Sequence, residues 1–407
     1  MKINDSMQQT YPTLRLALFA LALCGCSSTV EIHRPDQELL QIIHQNVDDA
    51  AAQYKVMKAK LPPGRFPKTY HADSDELETS DSGWWCSGFY PGVLLYLFEQ
   101  TRNRELYDEA LRILKILEKE QYNTGTHDLG FMMFNSFGAA NRINPKPEYK
   151  DILINSARSL AGRFSPAVGL IKSWDSKEGD YLVIIDNMMN LELLFWAART
   201  SGDASFYDIA VTHADNTIKN HFRDDHSSYH VLNYDPKTGA VNEKKTAQGY
   251  SDESAWARGQ AWGLYGFVVT YRETKDERYL QQAKHIADFI LTHPNLPADK
   301  IPYWDFNAPN IPHALRDASA AAIIASALLE LHRYVDSKTA SRYLAAAETI
   351  LTTLSSPEYK AQPGTNGGFI LKHGVGHFPH GTEIDVPLTY ADYYFVEAMR
   401  RYKQIFD

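Results

Sequence analysis

Two kinds of helical segment alternate along this chain, and the alternation limits the folds that the chain can adopt. One kind is amphipathic with a charged outer face, as in residues 105–117 and 277–290, so it shows one side to water and buries the other. The other kind is apolar or small nearly all round, as in residues 257–267 and 318–329. A helix without a polar face must lie among other helices. We therefore expect buried inner helices surrounded by outer helices.

Apolar residues recur at steps of three and four from residue 36 onward, which predicts helices over most of the chain. Six buried and six surface helices in alternation predict an all-α fold, an (α/α)6 barrel with an inner and an outer ring. A solenoid of helical hairpins is the competing architecture, because periodicity alone does not separate the two. The predicted helices span residues 36–60, 88–101, 104–121, 129–141, 147–163, 186–200, 204–222, 255–273, 276–293, 316–335, 339–356 and 388–405.

The first 28 residues have the pattern of a bacterial export signal. Their apolar run is too short to span a bilayer as a folded helix, and it ends in Leu23-Cys24-Gly25-Cys26. That motif resembles a lipobox, in which the last cysteine, here Cys26, becomes the lipidated N-terminus. Ordinary signal-peptide cleavage with loss of both cysteines is the alternative. We expect a lipoprotein signal peptide over 1–25, a tether over 26–35 and the barrel over 36–407. The protein would then be exported and membrane-anchored, facing the periplasm or the cell surface, with no other attachment to the membrane.

Charge and composition exclude several classes of function. The 407 residues carry a net charge of -9, which gives no broad basic surface for nucleic acid. An acidic substrate must therefore be held by a few local cations. Cys86 is the one cysteine beyond the signal, so no internal disulfide is possible. Serine, threonine and cysteine nucleophile motifs, phosphate-binding glycine loops and dinucleotide fingerprints are absent from the sequence.

Polar and aromatic clusters stand immediately before the predicted inner helices and not before the outer ones. All inner helices of a two-ring barrel begin at the same end, so these clusters are expected to meet at one mouth. The clusters are Ser82–Trp85, His127–Phe131, Ile185–Asn187, Ser251–Ser254, Arg316–Ser319 and Thr389–Asp392.

Each aspartate in these clusters has an ordinary explanation as a helix N-cap. We expect Asp252, Asp317 and Asp392 to be caps. Asp128 and Asp186 are better candidates for catalysis because of their neighbours. Asp128 lies between a histidine and a Gly-Phe turn. Asp186 lies between apolar side chains that would desolvate it and raise its pKa toward the range of a general acid.

Aromatic side chains accompany these aspartates, either as barrel core or as surfaces on which sugar rings stack. Arg258 and Trp262 are four residues apart on a buried helix and share a face. A buried arginine needs an anionic partner, either a protein carboxylate such as Glu253 or the carboxylate of a substrate. The aromatic candidates are Trp84, Trp85, Phe89, Trp174, Trp256, Trp262, Tyr303 and Trp304.

The histidine-rich stretch 373–385 has a metal-like composition. Its spacings of four and three within a Gly/Pro-rich loop match no firm zinc pattern, so we interpret it as a loop on the rim and expect no metal. Lys372 and residues 363–381 are candidates for recognising a second sugar.

Several long motifs together resemble glycoside hydrolase family 88, the unsaturated glucuronyl hydrolases, in order from about residue 36 to 404. These motifs are Trp84–Gly92, His127–Phe131, Ile185–Met189, Gln248–Tyr265 and Glu383–Tyr394. The resemblance implies an (α/α)6 barrel, with Asp186 as general acid and base and Asp128 as the second essential carboxylate. It also implies a sugar subsite lined by Trp85, His127, Trp174, His230, Gln248, Arg258 and Trp262. Residues 224–228 depart from the family pattern, which has an Asp-Gly-Ser turn there.

The resemblance implies an unusual reaction, hydration of the C4=C5 double bond that a polysaccharide lyase leaves on the terminal uronic acid. It requires no metal or organic cofactor. The expected partners are unsaturated acidic oligosaccharides of the glycosaminoglycan or ulvan type, and no nucleic acid. Two alternatives remain: an unsaturated rhamnogalacturonyl hydrolase, and a surface lipoprotein that binds acidic glycans without catalysis.

Overall fold

Twelve α-helices carry the fold of residues 33–407, which are the residues that the computed structural model describes. The predicted signal peptide and the lipidation site Cys26 lie outside the described residues. The helices are α1 (Gln37–Lys60), α2 (Phe89–Thr101), α3 (Arg104–Leu117), α4 (Ala139–Ile143), α5 (Pro147–Ala161), α6 (Leu191–Ser201), α7 (Ala204–His221), α8 (Ala257–Thr274), α9 (Glu277–Thr292), α10 (Ala318–Leu331), α11 (Ser337–Leu354) and α12 (Thr389–Phe406).

The even-numbered helices form the inner ring and the odd-numbered helices surround them. Neighbouring members of the inner ring are in contact, with α4 joined to α6 through the segment Gly130–Gly138 that precedes α4, and α12 packs against α2, which closes the ring. The two kinds of helix differ in burial as predicted: every residue of α10 is buried, whereas α3 buries one mainly apolar face that includes Leu106, Ile113 and Leu117. The ring closure confirms the (α/α)6 barrel and eliminates the solenoid.

The outer helices have conventional N-caps, whereas most inner helices do not. Aspartate or asparagine side chains cap α1, α3, α7, α9 and α11, and α5 begins with a proline. Among the inner helices, α10 has a side-chain cap, the predicted Asp317, which accepts the N–H of Ser319. The other inner helices leave the carboxyl groups near their N-termini free for other contacts.

Two of the three aspartates that we expected to be caps have other roles. Asp392 lies within the first turn of α12 and accepts the N–H groups of Ile370 and Leu371, at 2.9 Å each. Asp252 accepts the N–H of Thr246 across a loop. Those two predictions were wrong because each carboxylate accepts hydrogen bonds from backbone N–H groups of a loop instead of from the N-terminus of the helix. These loop N–H groups need acceptors because they are not paired within a helix or strand.

Two inner helices begin with irregular turns at the mouth of the barrel. A π-helical segment, Gly130–Gly138, precedes α4, and a 3-10 segment, Ile185–Asn190, precedes α6. The two segments meet at Gly130, where an added Cβ would lie 2.6 Å from the Cα of Asn190. This close approach brings the chain around Asp128 next to the chain around Asp186.

Short antiparallel strands, which the helical periodicity did not predict, build the loops around the mouth. A three-stranded sheet joins β5 (Tyr181–Ile184), β6 (Val231–Tyr234) and β7 (Val241–Lys245). A hairpin pairs β8 (Gly374–His377) with β9 (Thr382–Val386). The remaining strands are β1 (Phe66–His71) paired with β2 (Glu76–Ser80), and β3 (Phe164–Ser165) paired with β4 (Leu170–Ile171). Within residues 33–407, no helix is long and apolar enough to cross a membrane.

Candidate active site

A cavity of about 550 Å³ opens at the mouth of the barrel, where the inner helices begin. The clusters predicted to converge supply much of its lining. Seven predicted site residues line it: Trp85, His127, Asp128, Trp174, Asp186, Gln248 and Arg258. Lys68, Gly83, Trp84, Thr126, Phe131, Ile184, Gly376, His377, His380, Thr382, Glu383 and Tyr390 complete it.

Asp186 is a desolvated carboxyl group at the base of this cavity. The buried strand β5 ends at Ile184, and the following 3-10 turn presents Asp186 with 9% of its surface exposed. Its Oδ2 atom has no hydrogen-bond partner among residues 33–407. Burial raises the pKa of Asp186 to about 7; Arg258 opposes the rise and Asp128 adds to it. Near neutral pH this group both donates and accepts a proton readily.

Asp128 is held by more hydrogen bonds than Asp186. Its Oδ2 accepts the hydroxyl of Thr126 at 3.2 Å, and the Nδ2 of Asn190 lies 3.5 Å from its Oδ1. The side chain of Asn190 also accepts the N–H of Phe131, so one amide ties the segment around Asp128 to the segment that carries Asp186. These partners hold the Asp128 side chain in one orientation.

His127 stands beside Asp128 in a defined tautomer. Its Nδ1 lies 2.9 Å from the carbonyl oxygen of Ser173, which only accepts, so Nδ1 carries the proton. Burial lowers the pKa of His127 and keeps the ring neutral. Its Nε2 lies 3.2 Å from Oδ1 of Asp128 and is an acceptor facing the carboxyl groups.

His230 lies behind Asp186 and does not line the cavity. The N–H groups of Ala247 and Gln248 both approach its Nδ1 at 3.2 Å, so Nδ1 is the acceptor and the proton is on Nε2. Burial holds the pKa of His230 well below its usual range, which keeps the ring neutral. The Nε2–H faces Oδ2 of Asp186 at 3.9 Å.

Arg258 has a protein partner, but Glu253 is not that partner. Glu253 is exposed and lies 3.6 Å from Arg223, because the loop before α8 carries it away from the barrel. Arg258 instead donates to Asp317 at 3.1 Å and to the carbonyl oxygens of Val375 and Gly376, at 2.5 and 2.6 Å. The guanidinium thus fastens the β8–β9 hairpin to α8 and α10 at the cavity wall.

Trp262 lies below the cavity and does not line it. The side chain is fully buried, and its ring centroid is 5.1 Å from that of Phe131 and 5.4 Å from that of Tyr394. Trp262 therefore supports the floor through Phe131, which does line the cavity. The other aromatic predictions divide in the same way: Trp84, Trp85 and Trp174 face the cavity, whereas Phe89, Trp256, Tyr303 and Trp304 pack behind it.

The β8–β9 hairpin confirms the predicted rim loop, since His377, His380, Thr382 and Glu383 line the cavity. Lys372 does not: its amino group donates to the carbonyl oxygen of Pro357. Sequence reasoning missed Lys68 as a lining residue, because it comes from β1, a strand well before the first inner helix. It included Glu383 only as part of the rim loop and gave it no individual role.

The divergent segment at residues 224–228 still forms a turn. The side chain of Asp225 accepts both the N–H and the hydroxyl of Ser227, and His226 adopts the left-handed conformation with φ 68°. That conformation is where a glycine would be favoured. The turn leads into β6 and delivers His230 to its position behind Asp186.

An (α/α)6 barrel with two carboxyl groups and stacking aromatics at its mouth defines the class of carbohydrate-active hydrolases. Residues 62–271 match the model of Glycosyl Hydrolase Family 88. The chain belongs to this family.

Relatives across the family cover most of the chain. An unsaturated glucuronyl hydrolase of Formosa agariphila is 44% identical over 350 residues, which are 85% of this chain and 87% of that protein. An unsaturated chondroitin disaccharide hydrolase of Streptococcus pneumoniae is 34% identical over 90% of this chain and 92% of its own. A crystal structure of an unsaturated glucuronyl hydrolase specific for heparin superimposes with a TM-score of 0.87 at 46% identity, covering 90% of this chain and 98% of that one.

Proposed function

We propose that this protein is an unsaturated glucuronyl hydrolase that releases the 4,5-unsaturated uronic acid from the non-reducing end of lyase-generated oligosaccharides. The observation that carries the proposal is Asp186, a desolvated carboxyl group with a pKa of about 7 at the base of a sugar-sized cavity. Membership of family 88 supports it, as do one relative named as an unsaturated glucuronyl hydrolase and another named as an unsaturated chondroitin disaccharide hydrolase.

The proposed reaction begins with a proton transfer from Asp186 to C4 of the unsaturated sugar. The C4=C5 bond is an enol ether through the ring oxygen, so positive charge develops on C5 and that oxygen. Water then adds at C5 and returns a proton to the Asp186 carboxylate. The resulting hemiketal opens to a ketone, and the hemiacetal left at C1 releases the rest of the chain. Paired-carboxylate glycosidases instead act directly at the anomeric carbon.

Asp128 and its neighbours take the supporting roles in this proposal. The Asp128 carboxylate faces the developing positive charge, and Nε2 of His127 accepts a hydrogen bond from a sugar hydroxyl or from the attacking water. Trp85 and Trp174 offer ring faces to the sugar. Arg258 has donor groups beyond those bound to Asp317 and the hairpin, and with Gln248 it is placed to hold the uronate carboxylate.

The test uses the near-ultraviolet absorbance of the double bond, which is conjugated to the carboxylate. The purified protein is mixed with disaccharides from a heparin lyase, a chondroitin lyase and an ulvan lyase. The expected result is loss of absorbance with at least one of them, and retention of absorbance with Asp186→Asn. Asp385→Asn is the matched control, because Asp385 is outside the cavity lining and pairs with His373.

The same panel, extended with unsaturated fragments from a rhamnogalacturonan lyase, separates the two alternatives. A glycan-binding lipoprotein leaves every absorbance intact while it retains the sugars on a column. An unsaturated rhamnogalacturonyl hydrolase acts on pectin-derived fragments and leaves the other products untouched. The relatives named for glucuronyl and chondroitin substrates favour glycosaminoglycan-type products.

We also propose that the protein is exported and anchored through a lipid on Cys26. The support is the lipobox-like Leu23-Cys24-Gly25-Cys26 after a short apolar run. Cells that express the full chain with radiolabelled palmitate should yield a labelled membrane-bound protein, and Cys26→Ser should abolish the label. Labelling that persists in Cys26→Ser, or a chain found wholly in the soluble fraction, contradicts the anchor.

A further inference from the structure

The cavity has a buried part and an exposed part. Asp186, Asp128 and Arg258 belong to the buried part, with at most 9% of each residue exposed, whereas Trp84, His380 and Thr382 are exposed at the mouth. The unsaturated sugar is the end of its chain, so it enters the buried part first. The next sugar then occupies the mouth, which Trp84 and the β8–β9 hairpin line.

Glu383 is a carboxylate on this hairpin that the proposed reaction does not use. It lines the cavity and has the left-handed φ of 53°, which is uncommon for a residue with a side chain. Its side chain folds across Gly376: a Cβ added there would lie 2.6 Å from Oε2 of Glu383. The glycine therefore makes room for this carboxylate at the cavity wall, and burial raises the pKa of Glu383.

The cations around Glu383 are engaged elsewhere. Lys68 donates to Glu78 at 2.6 Å, and Arg258 donates to Asp317 at 3.1 Å. No hydrogen bond or ion pair joins the Glu383 carboxylate to a side chain of residues 33–407. Burial, together with His380 and Arg258, lowers the pKa of His377 to about 4, so this ring is neutral at physiological pH. Lys68 also lines the cavity, and its amino group lies 5.4 Å from the ring centroid of Trp84. The mouth thus offers the Glu383 carboxylate as an acceptor and one cation, Lys68, whose charge is offset by Glu78.

We propose that Glu383 is a specificity-determining residue that selects an unsulfated sugar next to the unsaturated uronate. Its carboxylate accepts hydrogen bonds from hydroxyl groups of that sugar, since sugar hydroxyls are donors that satisfy an otherwise unpartnered acceptor. A sulfate at the same position places a second negative charge in a partly desolvated wall. The inference rests on the proposed hydrolase function, because it assumes that the uronate fills the buried part.

Repulsion between two like charges several ångströms apart in such a wall corresponds to about tenfold or more in binding. The experiment compares kcat/KM for a matched pair of unsaturated disaccharides, one unsulfated and one with a single sulfate on the second sugar. Wild-type protein is expected to favour the unsulfated disaccharide by about tenfold or more. Glu383→Gln keeps the shape and removes the charge, so it should reduce that ratio several-fold, mainly through a lower KM for the sulfated disaccharide.

Asp385→Asn is the control, since it removes the same charge two residues further along β9 without touching the cavity lining. An unchanged ratio in Glu383→Gln, or an equal change in Asp385→Asn, overturns this inference while leaving the hydrolase function intact. A wild-type protein that acts on neither disaccharide nor on the wider panel overturns the proposed function itself, and this inference with it.

Discussion

Nε2 of His230 lies 3.9 Å from Oδ2 of Asp186, and neither atom has a hydrogen-bond partner among residues 33–407. Two backbone N–H groups fix the ring so that its remaining proton faces the carboxyl group. The Nε2–H of His230 is therefore a donor and Oδ2 of Asp186 an acceptor, and a short movement of either side chain would form a hydrogen bond between them. Such a donor stabilises the carboxylate form of Asp186, which is the form left after Asp186 gives its proton to the sugar in the proposed reaction.

The pH dependence of activity should report the protonation of Asp186. Its pKa is raised to about 7, and the reaction begins from the protonated group. We expect kcat/KM to fall above about pH 7, approaching tenfold per pH unit. Initial rates from pH 5 to 9 with an unsaturated disaccharide check this. A flat profile between pH 6 and pH 9 contradicts the assignment of Asp186 as proton donor.

Replacing His230 with alanine should move that profile. Loss of the Nε2–H removes a group that favours the charged form of Asp186, so the alkaline limb should shift to higher pH. We expect kcat to fall by about tenfold at the same time, because the carboxylate formed during the reaction loses its donor. His332→Ala is the control, because His332 is a partly buried histidine at the C-terminal end of α10, away from the cavity. Lower activity with an unmoved limb would mean that His230 has a structural role only.

Asp186→Asn should stabilise the protein at alkaline pH although it abolishes activity. The folded pKa of about 7 lies above the unfolded value of about 3.9, so the folded state binds the extra proton between these values. The stability of the wild type therefore falls as pH rises through this window, and the loss is complete above pH 7. The variant escapes this loss, which is worth about 1–4 kcal/mol.

Thermal unfolding of both proteins at pH 4 and pH 8 measures this difference. The melting temperatures should nearly coincide at pH 4 and should separate at pH 8, with the variant higher. Asp392, whose pKa burial also raises to about 7, contributes equally to both proteins and cancels. A variant that is less stable at pH 8 would show that Arg258 outweighs desolvation at Asp186.

Arg258→Lys should impair the enzyme although it conserves the charge. A lysine ammonium cannot reach Asp317 and the two hairpin carbonyls in the planar geometry of a guanidinium. We expect kcat/KM to fall by at least about tenfold, and Arg258→Met to cost about 3–5 kcal/mol of stability because Asp317 is left buried and unpaired. Kinetics and urea unfolding measure the two effects. A fully active Arg258→Lys would show that the hairpin does not depend on this contact.

Helical periodicity predicted the number, order and approximate limits of the helices, because an apolar stripe or an all-apolar surface determines how a helix is buried. The clusters before the inner helices supply eight of the nineteen residues that line the cavity, since polar residues before inner helices must meet at one end of a closed ring. Asp128, Asp186 and Trp85 could therefore be predicted as neighbours although they are far apart in the chain.

The tertiary structure decided which partners those residues have. Glu253 and Asp317 are both acids near an inner helix; the sequence suggested Glu253 as one possible partner of Arg258, whereas the structure pairs Arg258 with Asp317. The short strand β1 that carries Lys68 has no strong periodicity, so the place of Lys68 in the cavity follows from the path of the loops alone. Local sequence patterns determine which side chains are buried, because burial depends on the face of the helix on which a residue lies. Which buried side chains contact one another depends on the distances between segments remote in the sequence, and only the packing of the whole chain determines those distances.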